Sequence, residues 1–180
     1  MADLHQVHGA GVDVVEERSD AGRPRADAVL TAMTGVVLAV RAADCVPVLL
    51  AAPDEGLVAA AHCGRQGLAV GVLPRTVEAL RHRGGGRLVA WVGPHVCGRC
   101  YEVPAALRDE VGEVEPAAAA TTSWGTPSLD LSAGVRAQLE RHDADVVDIS
   151  RCTRESPDLY SYRRDGRSAG RLAGLIRIRS

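Results

Sequence analysis

The sequence contains no lysine, asparagine or phenylalanine, and aromatic residues make up only 3% of its 180 positions. All 21 lysine-or-arginine positions are arginine, and they are scattered along the chain rather than gathered into one patch. With 23 acidic residues the formal net charge is −2. This balance does not indicate nucleic acid or an anionic membrane as a partner. The core has to be built from valine, leucine and alanine.

The chain also lacks long apolar runs, since none approaches the roughly 20 residues of a membrane-spanning helix. Its first residues, Met-Ala-Asp-Leu-His, have neither the basic start nor the apolar stretch of a secretory signal. The five cysteines are an odd number, and without such a signal they indicate reduced thiols. We therefore expect a cytoplasmic protein. At this length, residues 1–180 are expected to form a single domain.

Three short apolar runs in the first third of the chain predict buried strands: Gly35–Val40, Val46–Ala52 and Leu57–Ala61. Several predicted strands follow one another without an intervening helix. This order favours an α+β fold with mixed layers over a regular α/β alternation.

A thiol and two imidazoles lie at the boundaries of these strands. Cys45 precedes the second run, His62 follows the third, and His8 precedes the strand-like Val12–Val15. A lone cysteine between apolar runs is usually a small buried hydrophobe. One cysteine and two histidines also form an open zinc site, with a fourth position for water or substrate. A Cys45 nucleophile with His62 as its base is the other possibility, and the spacing alone leaves these alternatives open.

The remaining segments give weaker signals. A helical stripe over residues 69–80 contains Pro74, which is expected to kink or break it. Residues 117–127 are expected to be a flexible surface connection, and residues 16–25 a surface loop. Helices are also predicted after Pro104 and after Asp130, the latter as an N-cap.

Two glycine-containing motifs have both a structural and a functional interpretation. Gly64-Arg-Gln-Gly67 opens a helix, where free backbone N–H groups favour an anion such as phosphate. The same glycines also suit a simple strand-to-helix turn. Cys97-Gly-Arg-Cys100 is a single CxxC without a partner pair, so a turn with two incidental thiols is the simpler interpretation.

Seven blocks of the sequence occur in the order typical of one family: Gln6-Val-His-Gly9, Ala26-Asp-Ala28, Ala43-Asp-Cys-Val-Pro-Val-Leu-Leu50, Ala60-Ala-His62, Gly93-Pro94, Cys100-Tyr-Glu-Val103 and Ser161-Tyr-Arg-Arg-Asp-Gly166. Together they resemble the YfiH-like family, also called laccase-domain or multicopper polyphenol oxidase proteins. The blocks extend from residue 6 nearly to the C-terminus, so the resemblance covers most of the chain.

The resemblance implies a mixed-sheet α/β/β/α sandwich similar to the catalytic domain of cytotoxic necrotising factor. It also implies a zinc-dependent purine nucleoside phosphorylase that uses phosphate to cleave adenosine, inosine or methylthioadenosine, with adenosine deaminase activity as a further expectation. The family's metal ligands correspond to His8, Cys45 and His62, and Cys45 and His62 are the expected catalytic residues. We expect Glu102 to act on the purine ring and Arg164 to bind substrate or anion. Multicopper chemistry is not expected, because six histidines cannot build several copper centres.

The chain departs from the family pattern in two places. Arg65-Gln66 stands where the family usually has Trp-Arg, and relatives carry several dozen residues before the Gln6 block. Missing N-terminal strands would expose a sheet edge, so self-association into a homo-oligomer is an expectation. Two further interpretations therefore remain: a Cys/His hydrolase acting on a cell-wall peptide amide, as in peptidoglycan editing, and a degenerate member that binds without turnover.

Overall fold

The computed structural model describes residues 1–17 and 22–179. The described residues form ten strands: β1 (Val12–Val15), β2 (Ala28–Thr31), β3 (Leu38–Ala42), β4 (Val46–Ala52), β5 (Leu57–Cys63), β6 (Leu88–Val92), β7 (Ala119–Thr121), β8 (Pro127–Leu129), β9 (Ala144–Asp148) and β10 (Leu172–Ile176). They also form five α-helices: α1 (Arg65–Ala69), α2 (Val72–His82), α3 (Ala105–Val114), α4 (Leu131–Glu140) and α5 (Tyr162–Asp165).

Six of the strands form one mixed sheet in the order β1-β2-β5-β4-β6-β9. The edge pairs β1–β2 and β6–β9 are parallel, and the central pairs are antiparallel. Every residue of β5 is buried because both faces of the sheet are covered. In the β4–β5 pair, Val46 lies opposite Cys63 and Pro47 opposite His62. This register places the start of β4, directly after Cys45, beside the end of β5.

Helices α1 to α4 cover one face of this sheet. Helix α2 buries Val72, Leu73 and Val77 against a core that it shares with α1, α3 and α4. The predicted stripe over residues 69–80 is divided at Gly71, which has a φ of +77°. Pro74 does not make this break. It lies in the first turn of α2, where the missing N–H costs no helical hydrogen bond. None of the helices in the described part of the chain has both the length and the apolar character that a membrane crossing requires.

The opposite face carries a second, two-stranded antiparallel sheet of β3 and β10. Side chains from both sheets form a separate apolar cluster there, including Val29, Val40, Val58 and Ala60. Helices, a mixed six-stranded sheet and a smaller sheet therefore stack in layers. The expected α+β fold with a mixed sheet is confirmed.

Residues 117–127 differ from the expected flexible connection. They contain β7 and lead into β8, which pairs with β7 as an antiparallel hairpin. Its turn is closed by a hydrogen bond from the Thr126 N–H to Thr122 Oγ1 and by one between the two hydroxyl groups. The predicted cap of α4 is present, since Asp130 accepts a hydrogen bond from the N–H of Ala133. Of the predicted surface loop over 16–25, residues 18–21 lie outside the described residues.

Candidate metal centre and active-site cavity

The fold brings His8, Cys45 and His62 together from three separate parts of the chain. Their potential ligand atoms all lie within 4.8 Å of one another. The distance from His8 Nε2 to Cys45 Sγ is 3.9 Å, and the two imidazole ring centroids are 4.9 Å apart. A thiol and two imidazoles at this separation could hold a soft divalent metal.

A buried carboxylate, Asp27, organises two of these three residues. It accepts hydrogen bonds from the backbone N–H groups of Val7, His8 and Gly9 at 3.1, 2.9 and 2.7 Å. It also accepts one from His62 Nδ1 at 2.9 Å. These contacts hold His8 in the left-handed region, with a φ of +59°. Asp27 was not among the expected site residues, although an acidic residue directly before a largely apolar strand is a signal that could have identified it.

A second aspartate, Asp44, positions Cys45. Its backbone is in the left-handed region, with a φ of +83°, an uncommon conformation for a residue other than glycine. Its carboxylate accepts hydrogen bonds from Thr153 Oγ1 and from the N–H of Arg163, each at 2.6 Å. The turn that presents Cys45 is thereby fixed to loops more than a hundred residues later in the sequence.

The ionisation of the site reflects the competition between burial and charge. Burial would raise the pKa of the Cys45 thiol, but His62 and His8 lower it from 9.0 to about 7. Burial would lower the pKa of His62, but Asp27 and Cys45 raise it to about 9. Burial would likewise raise the pKa of Asp27, yet its hydrogen bonds from His62 and the backbone lower it. Without a metal, the site therefore favours a thiolate beside an imidazolium.

The same residues fit a metal ion. Because His62 Nδ1 is engaged by Asp27, Nε2 is the nitrogen that remains for a metal, as in carboxylate–histidine–metal arrangements. Cys45 is readily available as the thiolate that metal binding needs. The absence of a side chain at Gly64 leaves space for these two candidate ligands, since a Cβ there would lie 2.9 Å from His8 Cδ2 and 3.0 Å from Cys45 Sγ.

The three residues open into a cavity of about 930 Å³. Its wall also contains four arginines and two tyrosines: Arg23, Arg41, Arg163, Arg171, Tyr101 and Tyr162. Arg23 and Arg41 both pair with Asp3, at 3.2 and 2.6 Å. The Arg163 guanidinium lies over the Tyr101 ring, 4.5 Å from its centroid. The cavity thus combines the metal-binding residues with cationic and aromatic groups.

Two residues expected to bind substrate lie outside the cavity wall. Glu102 Oε2 accepts a hydrogen bond from Trp124 Nε1 at 2.9 Å. The Arg164 guanidinium donates to the carbonyls of Thr153 and Leu159 at 2.9 and 2.7 Å and pairs with Asp165. In these positions they shape loops, and it is the neighbouring Arg163 that reaches the cavity.

The expected phosphate-binding segment is not part of the cavity wall, although Gly64 directly adjoins His8 and Cys45. Residues 64–67 are not among those that line it, and the helix that follows Gly64 has only five residues. The unusual Arg65-Gln66 pair is therefore outside the cavity wall.

The sequence from residue 1 to 179 matches the model of the multi-copper polyphenol oxidoreductase laccase family. The chain belongs to this family. It is 58% identical over 179 residues to a purine nucleoside phosphorylase of Streptomyces coelicolor, covering 96% of this chain and 73% of the relative. It is 49% identical over 183 residues to a purine nucleoside phosphorylase of Streptomyces griseus, covering 96% and 72%.

Solved structures show the same fold. A Neisseria meningitidis protein of the DUF152 family aligns with a TM-score of 0.87 and 34% identity, covering 99% of this chain and 75% of that protein. YlmD from Geobacillus stearothermophilus aligns with a TM-score of 0.86 and 30% identity, covering 99% and 73%. The predicted membership of the YfiH-like family is thereby confirmed.

The space at Gly64 generates a first prediction. Gly64→Ala should abolish metal binding at the His8, Cys45 and His62 site, because the new methyl group would push His8 and Cys45 apart. Its φ of −86° is accessible to alanine, so the effect is steric rather than conformational. Gly9→Ala is the matched control, since a Cβ there has only ordinary contacts at 3.7 Å. Metal content of the two purified variants tests this, and equal content would contradict it.

The charges at the site generate a second prediction. In metal-stripped protein, the rate of Cys45 alkylation by iodoacetamide should rise with pH to a plateau with a midpoint near pH 7. Only the thiolate reacts, and His62 and His8 lower the pKa of Cys45 to about 7. Asp27→Asn should move the midpoint to higher pH, because the imidazolium of His62 loses its carboxylate partner. Tandem mass spectrometry follows Cys45, and buried Cys63, whose pKa is raised, should stay unmodified. A midpoint near pH 9 in wild-type protein would refute this charge distribution.

Proposed function

We propose that this chain is a zinc-dependent purine nucleoside phosphorylase whose metal ligands are His8, Cys45 and His62. The observation that carries the proposal is one cavity in which these residues meet arginine side chains and tyrosine rings. Relatives described as purine nucleoside phosphorylases support the reaction class. When bound, zinc would supply Lewis-acid polarisation of a ligand oxygen.

We assign phosphate to Arg163 and Arg171. Within the described part of the chain, neither side chain pairs with a carboxylate, whereas Arg23 and Arg41 are engaged by Asp3. Among the described residues, the Arg171 guanidinium donates only to the carbonyls of Ala169 and Gly170. Guanidinium groups match phosphate oxygens geometrically and stay charged at every physiological pH. This assignment replaces the Gly64–Gly67 helix start as our candidate for the phosphate.

We assign the nucleoside to the same cavity. Tyr101 and Tyr162 provide aromatic surface on which a purine could stack, and the volume of about 930 Å³ is within the range of small-molecule sites. Phosphorolysis requires phosphate to be held against the sugar carbon that carries the base. Arginines and tyrosines that share one cavity with Cys45 and His62 support such an arrangement.

A second candidate function is amide hydrolysis with Cys45 as nucleophile and His62 as its base. It is supported by the Cys45 thiolate and the His62 imidazolium of the metal-free site. Asp27 orients the imidazole through its hydrogen bond with Nδ1. Adenosine deamination and ligand binding without turnover remain further proposals for the same cavity. We also propose a cytoplasmic location, which the five free cysteines support.

Inosine separates these functions. Purified protein should convert inosine to hypoxanthine and ribose 1-phosphate only when inorganic phosphate is present. Deamination would instead consume adenosine in phosphate-free buffer, and the hydrolase would need neither phosphate nor nucleoside. Chromatography of reactions with and without phosphate gives the answer, with Cys45→Ala as the inactive reference. Absence of phosphate-dependent hypoxanthine from zinc-loaded protein would reject the phosphorylase.

The arginine assignment has its own test. Arg163→Ala and Arg171→Ala should each raise the KM for phosphate about tenfold or more, since a charge-assisted hydrogen bond contributes about 1.5–3 kcal/mol. Arg167→Ala is the matched control, because it lies in the same loop but not in the cavity wall. The KM for inosine should change less. An unchanged phosphate KM in both variants would place phosphate elsewhere.

A further inference from the structure

A second cluster of metal-ligating groups lies outside the cavity. The sulfur atoms of Cys97, Cys100 and Cys152 and a carboxylate oxygen of Glu155 all lie within 4.8 Å of one another. Cys100 is buried, Cys97 and Cys152 are partly buried, and Glu155 is exposed. None of the four lines the cavity described above. The sequence motif alone suggested only a turn with two incidental thiols.

The parallel pairing of β6 with β9 assembles this cluster. The loop after β6 carries Cys97 and Cys100, which close a turn through the hydrogen bond from Cys100 N–H to the Cys97 carbonyl at 2.9 Å. The segment after β9 carries Cys152, which forms a parallel bridge with His95. The N–H of Cys97 also points to Cys152 Sγ at 3.5 Å. Both loops leave the same edge of the sheet, so residues more than fifty positions apart meet there.

We propose that Cys97, Cys100 and Cys152 form a thiolate site for zinc, with Glu155 as the fourth ligand. All three cysteines are free thiols. A tetrahedral zinc with Zn–S bonds of about 2.3 Å holds its sulfur atoms about 3.8 Å apart, so the cluster needs to contract by no more than about 1 Å. Four protein ligands close the coordination sphere, which is typical of a structural rather than a catalytic zinc.

Contacts with neighbouring residues hold the two loops around the cluster. Gly98, between the first two cysteines, lies against Asp130, where a Cβ would come within 2.7 Å of the Asp130 side chain. Arg154 donates to the Cys100 carbonyl at 3.0 Å, which joins the second loop to the first. The two loops are therefore already held close together before a metal binds, so the entropic cost of forming the site is low.

A metal bound at this cluster would also affect the cavity, because residues next to the cysteines contact the cavity wall. Tyr101, which follows Cys100, lies in the cavity wall under Arg163. Thr153, which follows Cys152, donates to the Asp44 carboxylate next to Cys45. A zinc that joins these two loops would fix the Tyr101 and Asp44 sides of the cavity relative to each other. We therefore assign the cluster a positioning role for the cavity, without contact to substrate.

Metal content in a Cys45→Ala background tests the proposal, because that substitution removes the His8–Cys45–His62 site. Purified without chelator, this protein should retain about one zinc per chain. Substituted with cobalt(II), it should show intense thiolate-to-cobalt charge-transfer absorption. Adding Cys97→Ser and Cys152→Ser should remove both signals, whereas adding Cys63→Ala, which changes a buried thiol outside both clusters, should leave them intact.

A second measurement uses the Cys45→Ala protein alone, in case the multiple variants do not fold. Chelation should lower its Tm by several degrees and zinc should restore it, because a metal that binds only the folded state stabilises that state. No retained metal, or a disulfide between any two of the three cysteines in freshly purified protein, would overturn the proposal. Since these readouts do not use nucleoside cleavage, they stand apart from success or failure of the proposed phosphorylase.

Discussion

The buried carboxylate of Asp27 is the interaction on which the site depends. It has no access to solvent, and a charge in that position is tolerated only when its hydrogen-bonding capacity is met. Three consecutive backbone N–H groups and the imidazole of His62 meet it. The same bonds that satisfy the carboxylate also hold His8 in a left-handed conformation and select which nitrogen of His62 is left for a ligand. Loss of this carboxylate would release two of the three candidate metal ligands together.

Strand pairing positions Cys45 and His62, and hydrogen bonds from distant loops stabilise the turn before β4. Cys45 and His62 meet because β4 and β5 pair with Pro47 opposite His62, and that register is specified by apolar burial on both faces. The turn before β4 is strained at Asp44 and persists because Thr153 and Arg163 tie down its carboxylate. Two aspartates thus fix the positions of the candidate ligands at the ends of two central strands.

The features that depend on local sequence could be predicted, and those that depend on long-range pairing could not. His8, Cys45 and His62 each adjoin an apolar run, so strand boundaries indicated them. Arg163 and Arg164 are adjacent in one loop, and only the loop's hydrogen bonds decide that Arg163 faces the cavity while Arg164 binds backbone carbonyls. Cys152 could not be joined to the CxxC motif, because the pairing of β6 with β9 brings it there.

Charge balance links the metal to the anion. Without metal, the Asp27 carboxylate, the Cys45 thiolate and a protonated His62 together carry one net negative charge. This charge adds to that of Asp44 in the cavity wall and would weaken phosphate binding. A divalent cation that displaces the His62 proton cancels the two anionic groups, because the imidazole becomes neutral as it binds. The guanidinium groups of Arg163 and Arg171, which pair with no carboxylate among the described residues, would then make the local potential more positive. In the proposed function, metal binding at His8, Cys45 and His62 and phosphate binding at the arginines would therefore support each other, although no atom needs to move between the two groups.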